Sequence, residues 1–153
     1  MTINYKFAKV KDTYAIYLCN KRNMPVYYNL LEYFYYILSN KYKIIIAKNN
    51  KKIIGYILLN INNNTKTHIM TMCVDVNFRK QNIATQLIKE VVNISKNKNY
   101  LSLYVHVQNA TAIKCYRRSN FVINKIIKNY YKDIINYNKN NISDAYFMQK
   151  KLK

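Results

Sequence analysis

Glycine and proline are almost absent from this sequence, which holds one of each, Gly55 and Pro25. Both residues normally mark turns, so helix and strand boundaries must be read from hydrophobic periodicity and from asparagine-rich gaps. The sequence also has no apolar run near the roughly 18 residues of a membrane span, and residues 1–10 hold no long apolar stretch. These absences predict a soluble, cytoplasmic protein, and its length fits one domain over 1–153.

Acidic residues are scarce, because 6 Asp and Glu stand against 26 Lys and Arg, for a formal charge of +20. Such an excess normally suggests nucleic acid, a ribosome or an anionic membrane as partner. Here, however, only 4 of the basic residues are Arg, and Asn, Lys, Ile and Tyr, whose codons are rich in A and T, fill 84 of 153 positions. Compositional drift therefore explains the charge, and we expect a solvated basic surface with no specific nucleic-acid site and no membrane site.

Cysteine is limited to Cys19, Cys73 and Cys115, which lack the paired spacing of zinc ligands. Neither a metal site nor a disulfide framework is predicted, and burial as small apolar side chains is the expected role. Cys115 as a catalytic nucleophile would need a partner motif, and the sequence offers none.

The apolar pattern predicts an α/β chain of the α+β type, in the order β-α-α-β-β-β-α-β-α-β-β. The predicted strands are 3–10, 42–47, 53–61, 68–76, 101–107, 121–127 and 145–152, and the predicted helices are 12–19, 28–38, 82–94 and 109–118. Residues 20–25 and 136–143 are predicted loops. The inward faces predicted for the first two helices comprise Ala15, Ile16, Leu18 and Cys19, and then Leu30, Leu31, Phe34, Tyr35 and Leu38.

The segment 73–88 passes from a predicted strand through the turn Arg79-Lys80-Gln81-Asn82-Ile83-Ala84 into a helix. It resembles the pyrophosphate-binding segment of the GNAT acyltransferase superfamily, whose turn reads Arg/Gln-x-x-Gly-x-Gly/Ala. The resemblance implies the GNAT fold, a mixed central sheet of about seven strands flanked by about four helices, and acetyl-CoA as cosubstrate. The binding residues it implies are Met72, Cys73, Val74, Arg79, Lys80, Gln81, Asn82, Ile83, Ala84 and Thr85.

Such a turn binds phosphate through successive backbone N–H groups and the positive end of the helix that follows. This sequence departs from the pattern at Asn82, where the family usually has glycine. Asparagine is the non-glycine residue that the left-handed region penalises least, so we expect the turn to survive.

A second segment, 103–121, contains the pattern Asn-x-x-Ala-x-x-x-Tyr at Asn109, Ala112 and Tyr116. It resembles the GNAT strand and helix that hold the CoA arm and supply a tyrosine near the sulfur. The resemblance makes Tyr116 the candidate acid toward the departing CoA thiolate.

Scattered residues in chain order narrow the resemblance to the NatE-type N-terminal methionine acetyltransferases. These are the stretches 24–28, 68–71, 106–108 and 129–132. The subfamily's residues at these places imply an apolar slot for the first residue of a protein N-terminus. The slot residues are Pro25, Val26, Tyr28, Met70, Tyr130 and Tyr131.

Both histidines of the chain fall in these stretches. His106 matches the histidine base of the NatE type, and His68 stands where that subfamily has a tyrosine. Acetyl transfer needs a base poised near neutrality to take the proton of the attacking amine. We expect both to face the acetyl group from neighbouring strands, close enough together that one stays neutral.

Three functions remain open from the sequence. The first is acetylation of protein N-terminal α-amines, preferably Met followed by an apolar residue, with a ribosome or the subunits of an N-acetyltransferase complex as candidate partners. The second is acetylation of lysine or small amines by the same fold. The third is a non-catalytic, basic module that docks on ribosomes or RNA.

Overall fold

The computed structural model describes residues 2–132 and 142–153, and the order of elements is the predicted one. The strands are β1 (Ile3–Phe7), β2 (Tyr42–Asn49), β3 (Lys52–Asn60), β4 (Lys66–Val74), β5 (Tyr100–His106), β6 (Val122–Ile127) and β7 (Ala145–Lys151). The helices are α1 (Thr13–Asn23), α2 (Leu30–Leu38), α3 (Ile83–Ile94) and α4 (Ala110–Arg118). Most of the predicted 136–143 loop lies outside the described residues.

The seven strands form one mixed sheet in the order β1-β2-β3-β4-β5-β7-β6. All neighbouring strands are antiparallel except β4 and β5, which run parallel. Helices cover both faces: α1 and α2 pack over one apolar cluster, and α3 and α4 over the other. The predicted mixed sheet with four helices is therefore confirmed.

Helix α1 is longer than predicted, because residues 20–23 continue it where a loop was expected. The loop prediction relied on the polar run after Cys19. Asn20 is nevertheless buried and donates a hydrogen bond to the carbonyl of Val26, which ties the helix end to the next loop. Of the predicted inward face, Ile16 and Cys19 are buried, whereas Ala15 is exposed.

The inward face predicted for α2 is wrong. Leu31 is 79% exposed, and the other four residues of that face lie between 40% and 62%. The helix is instead rotated so that Tyr33 is fully buried, with Tyr36 and Ile37 packed against the same cluster. Tyrosine can face inward here because the Tyr33 hydroxyl hydrogen-bonds the Tyr56 hydroxyl at 2.6 Å, which satisfies both polar groups in the core.

The single glycine, Gly55, lies on β3 where that strand passes β4. A Cβ atom at this position would stand 2.9 Å from the carbonyl oxygen of Cys73, closer than real Cβ atoms come to backbone. The methyl group of Ile83 at the start of α3 lies 3.5 Å from the same point. Glycine at position 55 therefore permits the close approach of β3 to the end of β4 and to α3.

Candidate active site

The central sheet opens between its two parallel strands. Four residue pairs join them, from Lys66 with Tyr100 to Ile69 with Leu103, and the pairing then stops. Strand β4 continues to Val74 along β3, and β5 continues to His106 along β7, so the two strands separate beyond this point. The separation leaves backbone groups of both strands facing a gap that an extended ligand can enter.

At the gap, a β-bulge reverses the side of the sheet to which alternate side chains of strand β4 point. Its pairing with β3 skips Met70, which bulges toward the α1 and α2 face and is half-buried there. Beyond the bulge, Cys73 faces the same side, whereas Met72 and Val74 pack toward α3. The predicted cofactor-binding residues of β4 thus lie along the edge of the gap.

The turn that leaves β4 has the backbone expected of an anion cradle. Lys80 and Asn82 both adopt positive φ, at 61° and 60°, and Asn82 immediately precedes α3. The first helical amides, those of Ile83, Ala84 and Thr85, have no partner within the helix and point out of its N-terminus. The expectation that Asn82 replaces glycine in the left-handed region is confirmed, and the turn can bind an anion through N–H groups.

The Arg79 guanidinium donates hydrogen bonds to two backbone carbonyls of the protein. Its Nε donates to the carbonyl of Val74 at 3.3 Å, and its Nη2 donates to the carbonyl of Asn23 at 3.4 Å. Because Asn23 ends α1, this arginine ties the turn to the helix on the opposite face of the sheet. Lys80 and Gln81 are exposed beside the turn.

A shallow cavity of about 540 Å³ adjoins the same turn, lined by Tyr5, Gln81, Asn82, Thr85, Gln86 and Lys89. Tyr5, Gln86 and Lys89 were missed by sequence reasoning. Tyr5 lies on β1, and only the folded sheet brings it to the turn, whereas Gln86 and Lys89 follow the implied binding residues directly on α3.

Helix α4 begins beside the end of β5. Asn109 is its N-cap, and the side-chain oxygen accepts the N–H of half-buried Ala112 at 3.1 Å. Tyr116 lies one turn further on, buried in the core on the α3 side with its ring edge against Phe121. Burial raises the pKa of the Tyr116 phenol well above its ordinary value, so the group can donate a hydrogen bond but releases its proton reluctantly.

His106 ends β5 and is buried, 3% exposed. Its Nε2 lies 3.0 Å from the carbonyl oxygen of Ile142, and its Nδ1 lies 3.1 Å from the backbone nitrogen of Gln108. A carbonyl only accepts and an amide N–H only donates, so Nε2 carries the hydrogen and Nδ1 uses its lone pair. Both ring nitrogens are thus engaged by backbone.

His68 lies on the same face of the sheet, opposite Ser102 in the last part of the β4–β5 ladder. Its Nδ1 is 2.9 Å from the Ser102 hydroxyl, and its ring packs on Tyr104 with centroids 5.3 Å apart. Burial, with a smaller contribution from the charge of Lys66, lowers the pKa of His68 to about 4. The side chain is therefore neutral at pH 7.

The two histidines are not direct neighbours, which corrects the expectation that each would suppress the other's protonation. His106 lies four residues beyond the partner of His68 along β5, roughly 13 Å of strand. Burial and Lys66 lower the pKa of His68. The expected neutral histidine is present, but for a different reason.

Aromatic rings join the histidines across the gap's mouth. Tyr104 stacks on Tyr130 at 4.4 Å, Tyr130 meets the edge of Tyr131 at 4.9 Å, and Tyr131 lies 5.4 Å from His106. The fold therefore brings Tyr130 and Tyr131, from the segment after β6, onto the strand pair that holds the histidines. Tyr104 was missed by sequence reasoning because one more tyrosine among 17 carries no signal.

The loop between α1 and α2 approaches from the other side. The Tyr28 ring packs edge-on against Tyr33 and Tyr36, at 5.8 and 5.3 Å. Burial raises the pKa of the Tyr28 phenol, and the nearby Glu32 carboxylate and Tyr130 phenol raise it further. The phenols of the predicted slot residues Tyr28 and Tyr130 are thus within electrostatic range of each other, while Pro25 and Val26 are exposed.

Comparison with known proteins decides the family. The model of the acetyltransferase (GNAT) family matches residues 10–121. The chain belongs to this family. It is a GNAT acetyltransferase, and acetyl-CoA is its acyl donor.

Its relatives are N-terminal acetyltransferases. The N-terminal acetyltransferase A complex catalytic subunit NAA10 of Arabidopsis thaliana is 30% identical over 95% of this chain and 76% of its own length. N-alpha-acetyltransferase 50 of Danio rerio is 34% identical over 60% of the chain and 52% of its length. The structure of Arabidopsis thaliana Naa50 in complex with the bisubstrate analogue CoA-Ac-MVNAL matches with a TM-score of 0.80 and 25% identity, covering 98% of this chain and 99% of that one.

The geometry fits the acyl donor. The gap between β4 and β5 suits an extended pantetheine arm, and the amides at the start of α3 suit a pyrophosphate. Bound there, acetyl-CoA supplies a thioester activated toward amines.

Three further findings concern the residues that the structure describes. No helix among the described residues is long and apolar enough to cross a membrane. In 2–132 and 142–153, no group of three or more His, Cys, Asp or Glu side chains is arranged to hold a metal ion. Cys19 and Cys73 are buried, as expected of small apolar side chains, and Cys115 is half-buried.

Proposed function

We propose that this acetyltransferase modifies the α-amine of protein N-termini, preferably Met followed by an apolar residue. The observation that carries the proposal is the stacking of Tyr130 on Tyr104 beside His68, with Tyr28 of the α1–α2 loop close enough for its phenol to interact electrostatically with that of Tyr130. An opening bounded by two such loops would admit a flexible chain end and exclude a lysine within a folded segment. Met70, bulged from β4, supplies apolar surface beneath the opening.

The relatives support the choice of first residue. The Naa50 structure was solved with an analogue whose peptide portion begins Met-Val, and the Danio rerio relative is an N-alpha-acetyltransferase of the same type. We assign Pro25, Val26, Tyr28, Met70, Tyr130 and Tyr131 to the slot for this end of the substrate. The donor is assigned to the β4 edge, the 79–85 turn and the Asn109, Ala112 and Tyr116 face of α4.

The chemistry requires a neutral amine to attack the thioester, a base for its proton and stabilisation of the departing thiolate. His68 and His106 are the candidate bases on the face reached through the loop opening. Tyr116, with its raised pKa, fits a hydrogen-bond donor to the thiolate better than an acid that gives up its proton. This refines the role that the sequence suggested for Tyr116.

The test is acetylation of matched peptides, with mass spectrometry to locate the modified nitrogen. One peptide begins Met-Val and contains an internal lysine, a second begins with Ser, and a third has a blocked α-amine. We expect α-amine acetylation with the highest kcat/KM on the first peptide, and none on the third. Modification at the lysine side chain, or equal rates on all first residues, would contradict the proposal.

A variant pair links the activity to the slot. Tyr130→Ala removes a ring that is 37% exposed and stacked on Tyr104, so KM for the peptide should rise several-fold while KM for acetyl-CoA stays within twofold. Val122→Ala, at a 62% exposed residue of β6, is the control and should change neither constant. A change in the acetyl-CoA constant alone would place Tyr130 in the donor site instead.

We also propose that α2 binds an auxiliary subunit in the cytoplasm. Its outer face exposes Leu30, Leu31, Phe34, Tyr35 and Leu38, more apolar surface than a solvated helix normally shows. The NAA10 relative is the catalytic subunit of a complex, and the +20 charge favours a partner whose apolar groove has an acidic rim.

Co-expression with an N-terminal acetyltransferase A auxiliary subunit, followed by size-exclusion chromatography, tests this contact. Leu31→Glu should abolish co-elution, whereas Val122→Glu should not. Co-elution that survives Leu31→Glu, or no complex with the unmodified chain, would refute the α2 interface.

A further inference from the structure

The two histidines of this chain differ in how many of their ring nitrogens are already hydrogen-bonded within the protein. His106 donates from Nε2 to the Ile142 carbonyl and accepts at Nδ1 from the Gln108 amide. A neutral imidazole has one hydrogen and one lone pair, and here backbone groups use both. To accept a substrate proton, His106 would first have to break its contact with Gln108.

His68 is bonded at one nitrogen. Its Nδ1 lies 2.9 Å from the hydroxyl of Ser102, and within 2–132 and 142–153 no hydrogen bond to its Nε2 is recorded. The two nitrogens of an imidazole point in different directions, so Nε2 points away from Ser102. The ring is half-buried beneath the stacked Tyr104 and Tyr130, next to the place where β4 and β5 separate.

Ser102 is placed to hold this ring at Nδ1, where its hydroxyl can accept from Nδ1–H or donate to the Nδ1 lone pair. It is fully buried on β5, directly opposite His68 in the parallel ladder, and both residues sit in regular strand backbone. A buried side chain on a paired strand has little freedom, so its oxygen holds a constant position beside Nδ1. When Nδ1–H donates to this oxygen, the Nε2 lone pair remains for another partner.

Resting on the proposed function, we propose that His68 Nε2 accepts the proton of the attacking amine and that Ser102 is the positioning residue that holds His68 in the required tautomer. The amine nitrogen forms a bond to the thioester carbonyl carbon, and the C–S bond breaks. The nitrogen's extra proton passes to Nε2, and the thiolate leaves with the bonding electrons. His106 then serves to hold the end of β5 against the segment before β7 through its bond to the Ile142 carbonyl.

The environment of His68 keeps its lone pair available at neutral pH, and the lowered pKa also makes it a weaker base than an ordinary imidazole. Its ionisable neighbours are Lys66 on β4, Tyr104 on β5 and Tyr130 on the segment after β6, with Tyr28 near Tyr130 from the α1–α2 loop. Burial and the Lys66 charge hold the pKa of His68 near 4, so the lone pair is present at every pH above about 5. The acid limb of kcat/KM should therefore follow the substrate α-amine, near pH 7.7 to 8, with no inflection near 6.5.

Nitrogen-15 spectra of the full chain labelled at histidine test the tautomers directly, since the chain has two histidines. We expect one ring protonated at Nδ1, assigned to His68 through its loss in His68→Gln, and the other protonated at Nε2. A His68 ring protonated at Nε2 would overturn the proposal, because its lone pair would then face Ser102.

Kinetics test the function of the pair. His68→Gln should lower kcat by about 100-fold or more, the usual effect of losing a general base. Ser102→Ala should lower kcat about tenfold with both KM values unchanged, and Ser102→Thr, which keeps a hydroxyl, should restore most of it. Normal kcat in either His68→Gln or Ser102→Ala would overturn the proposal.

Ser95→Ala is the matched control. Ser95 is as buried as Ser102, and its hydroxyl makes a bond of the same 2.9 Å length to Thr67, but on the opposite face of the sheet. It should lose stability like Ser102→Ala and keep kcat. An equal loss of kcat in both variants would make the Ser102 effect structural. If the unmodified chain acetylates no α-amine, the proposed function fails; if it does and the variants behave normally, this inference alone fails.

Discussion

The hydroxyl oxygens of Tyr33 and Tyr56 lie 2.6 Å apart in the core beneath α2. Both side chains are fully buried, and their rings meet edge to face at 5.8 Å. Tyr28, a proposed slot residue, packs on the same Tyr33 ring. The pair therefore supports both the rotation of α2 and one side of the substrate opening.

Tyr33→Phe should reduce the free energy of unfolding by about 1 kcal/mol, because the buried Tyr56 hydroxyl loses its bond to Tyr33 and keeps Thr71 as a partner. Tyr33→Phe combined with Tyr56→Phe should cost less than the two single changes added together, since both changes remove the same hydrogen bond. Urea denaturation of the unmodified chain, Tyr33→Phe, Tyr56→Phe and the double variant measures the coupling between the two hydroxyls. Additive losses would show that the two hydroxyls do not stabilise each other.

Gly55→Ala should destabilise the protein by about 1 to 3 kcal/mol, because the new methyl group meets the Cys73 carbonyl oxygen. The strain falls on the end of β4 and the start of α3, which bound the proposed donor site, so stabilisation by acetyl-CoA in thermal shift should also shrink. Ile57→Val on the same strand is the control: it should lower stability and leave the acetyl-CoA shift intact. Equal increases in Tm on adding acetyl-CoA to both variants would show that Gly55 does not affect the proposed donor site.

Asn82→Val should weaken acetyl-CoA binding at least tenfold, because a β-branched residue is penalised at a φ of 60° and the N–H groups of the turn would move. Asn82→Gly should bind acetyl-CoA at least as well as the unmodified chain. Asn50→Val, at φ 52° in the β2–β3 turn, gives the same backbone strain in a turn that supplies none of the predicted cradle residues. Calorimetric titration that finds equal affinities in Asn82→Val and Asn50→Val would contradict the cradle.

The buried His68 should make stability depend on pH. Its pKa is about 4 in the folded chain and ordinarily 6.5, so between these values the unfolded chain binds the proton and the folded chain does not. Stability is therefore lost as pH falls from about 6.5 toward 4, by on the order of 3 kcal/mol in all. Urea unfolding from pH 7.5 to 4.5 measures the slope, which His68→Tyr should reduce; parallel curves would refute the burial of a neutral ring.

The order of elements followed from the sequence because strands and helices here carry strong local signals. The isoleucine-rich runs at 44–46 and 53–54 are buried strands. Helix α3 buries Ile83, Leu87, Ile88 and Val91 of the face that its periodicity predicts, whereas Ile94 at the end of that face is 38% exposed. Asn109 capped α4 at the predicted place. Each of these features depends on residues close in the chain.

The α2 face was mispredicted for a physical reason. Leucine and phenylalanine rank as more apolar than tyrosine, so periodicity alone turns them inward. The pairing of Tyr33 with Tyr56, 23 positions away, satisfies the hydroxyls that would otherwise oppose burial. Sequence periodicity contains no information about such a partner.

The candidate site residues were predicted from sequence motifs, and the further residues beside them were found only in the folded sheet. His68, His106 and Tyr130 could be named from the sequence, but Ser102 and Tyr104 could not, because strand pairing alone brings them beside His68. The distance between the histidines and the tautomer of His106 also depend on register and on backbone carbonyls.

The ending of the β4–β5 ladder after four pairs has a consequence for how the molecule opens. The sheet consists of a four-stranded part, β1 to β4 (the larger leaf), and a three-stranded part, β5 to β7 (the smaller leaf). Only four residue pairs of β4 and β5 join the two leaves. In the proposed binding mode, a donor in the gap would hydrogen-bond both strands and so take the place of the missing pairs. Without it, the smaller leaf should exchange its amide hydrogens through a separate local opening, and with it the two leaves should exchange as one cooperative unit.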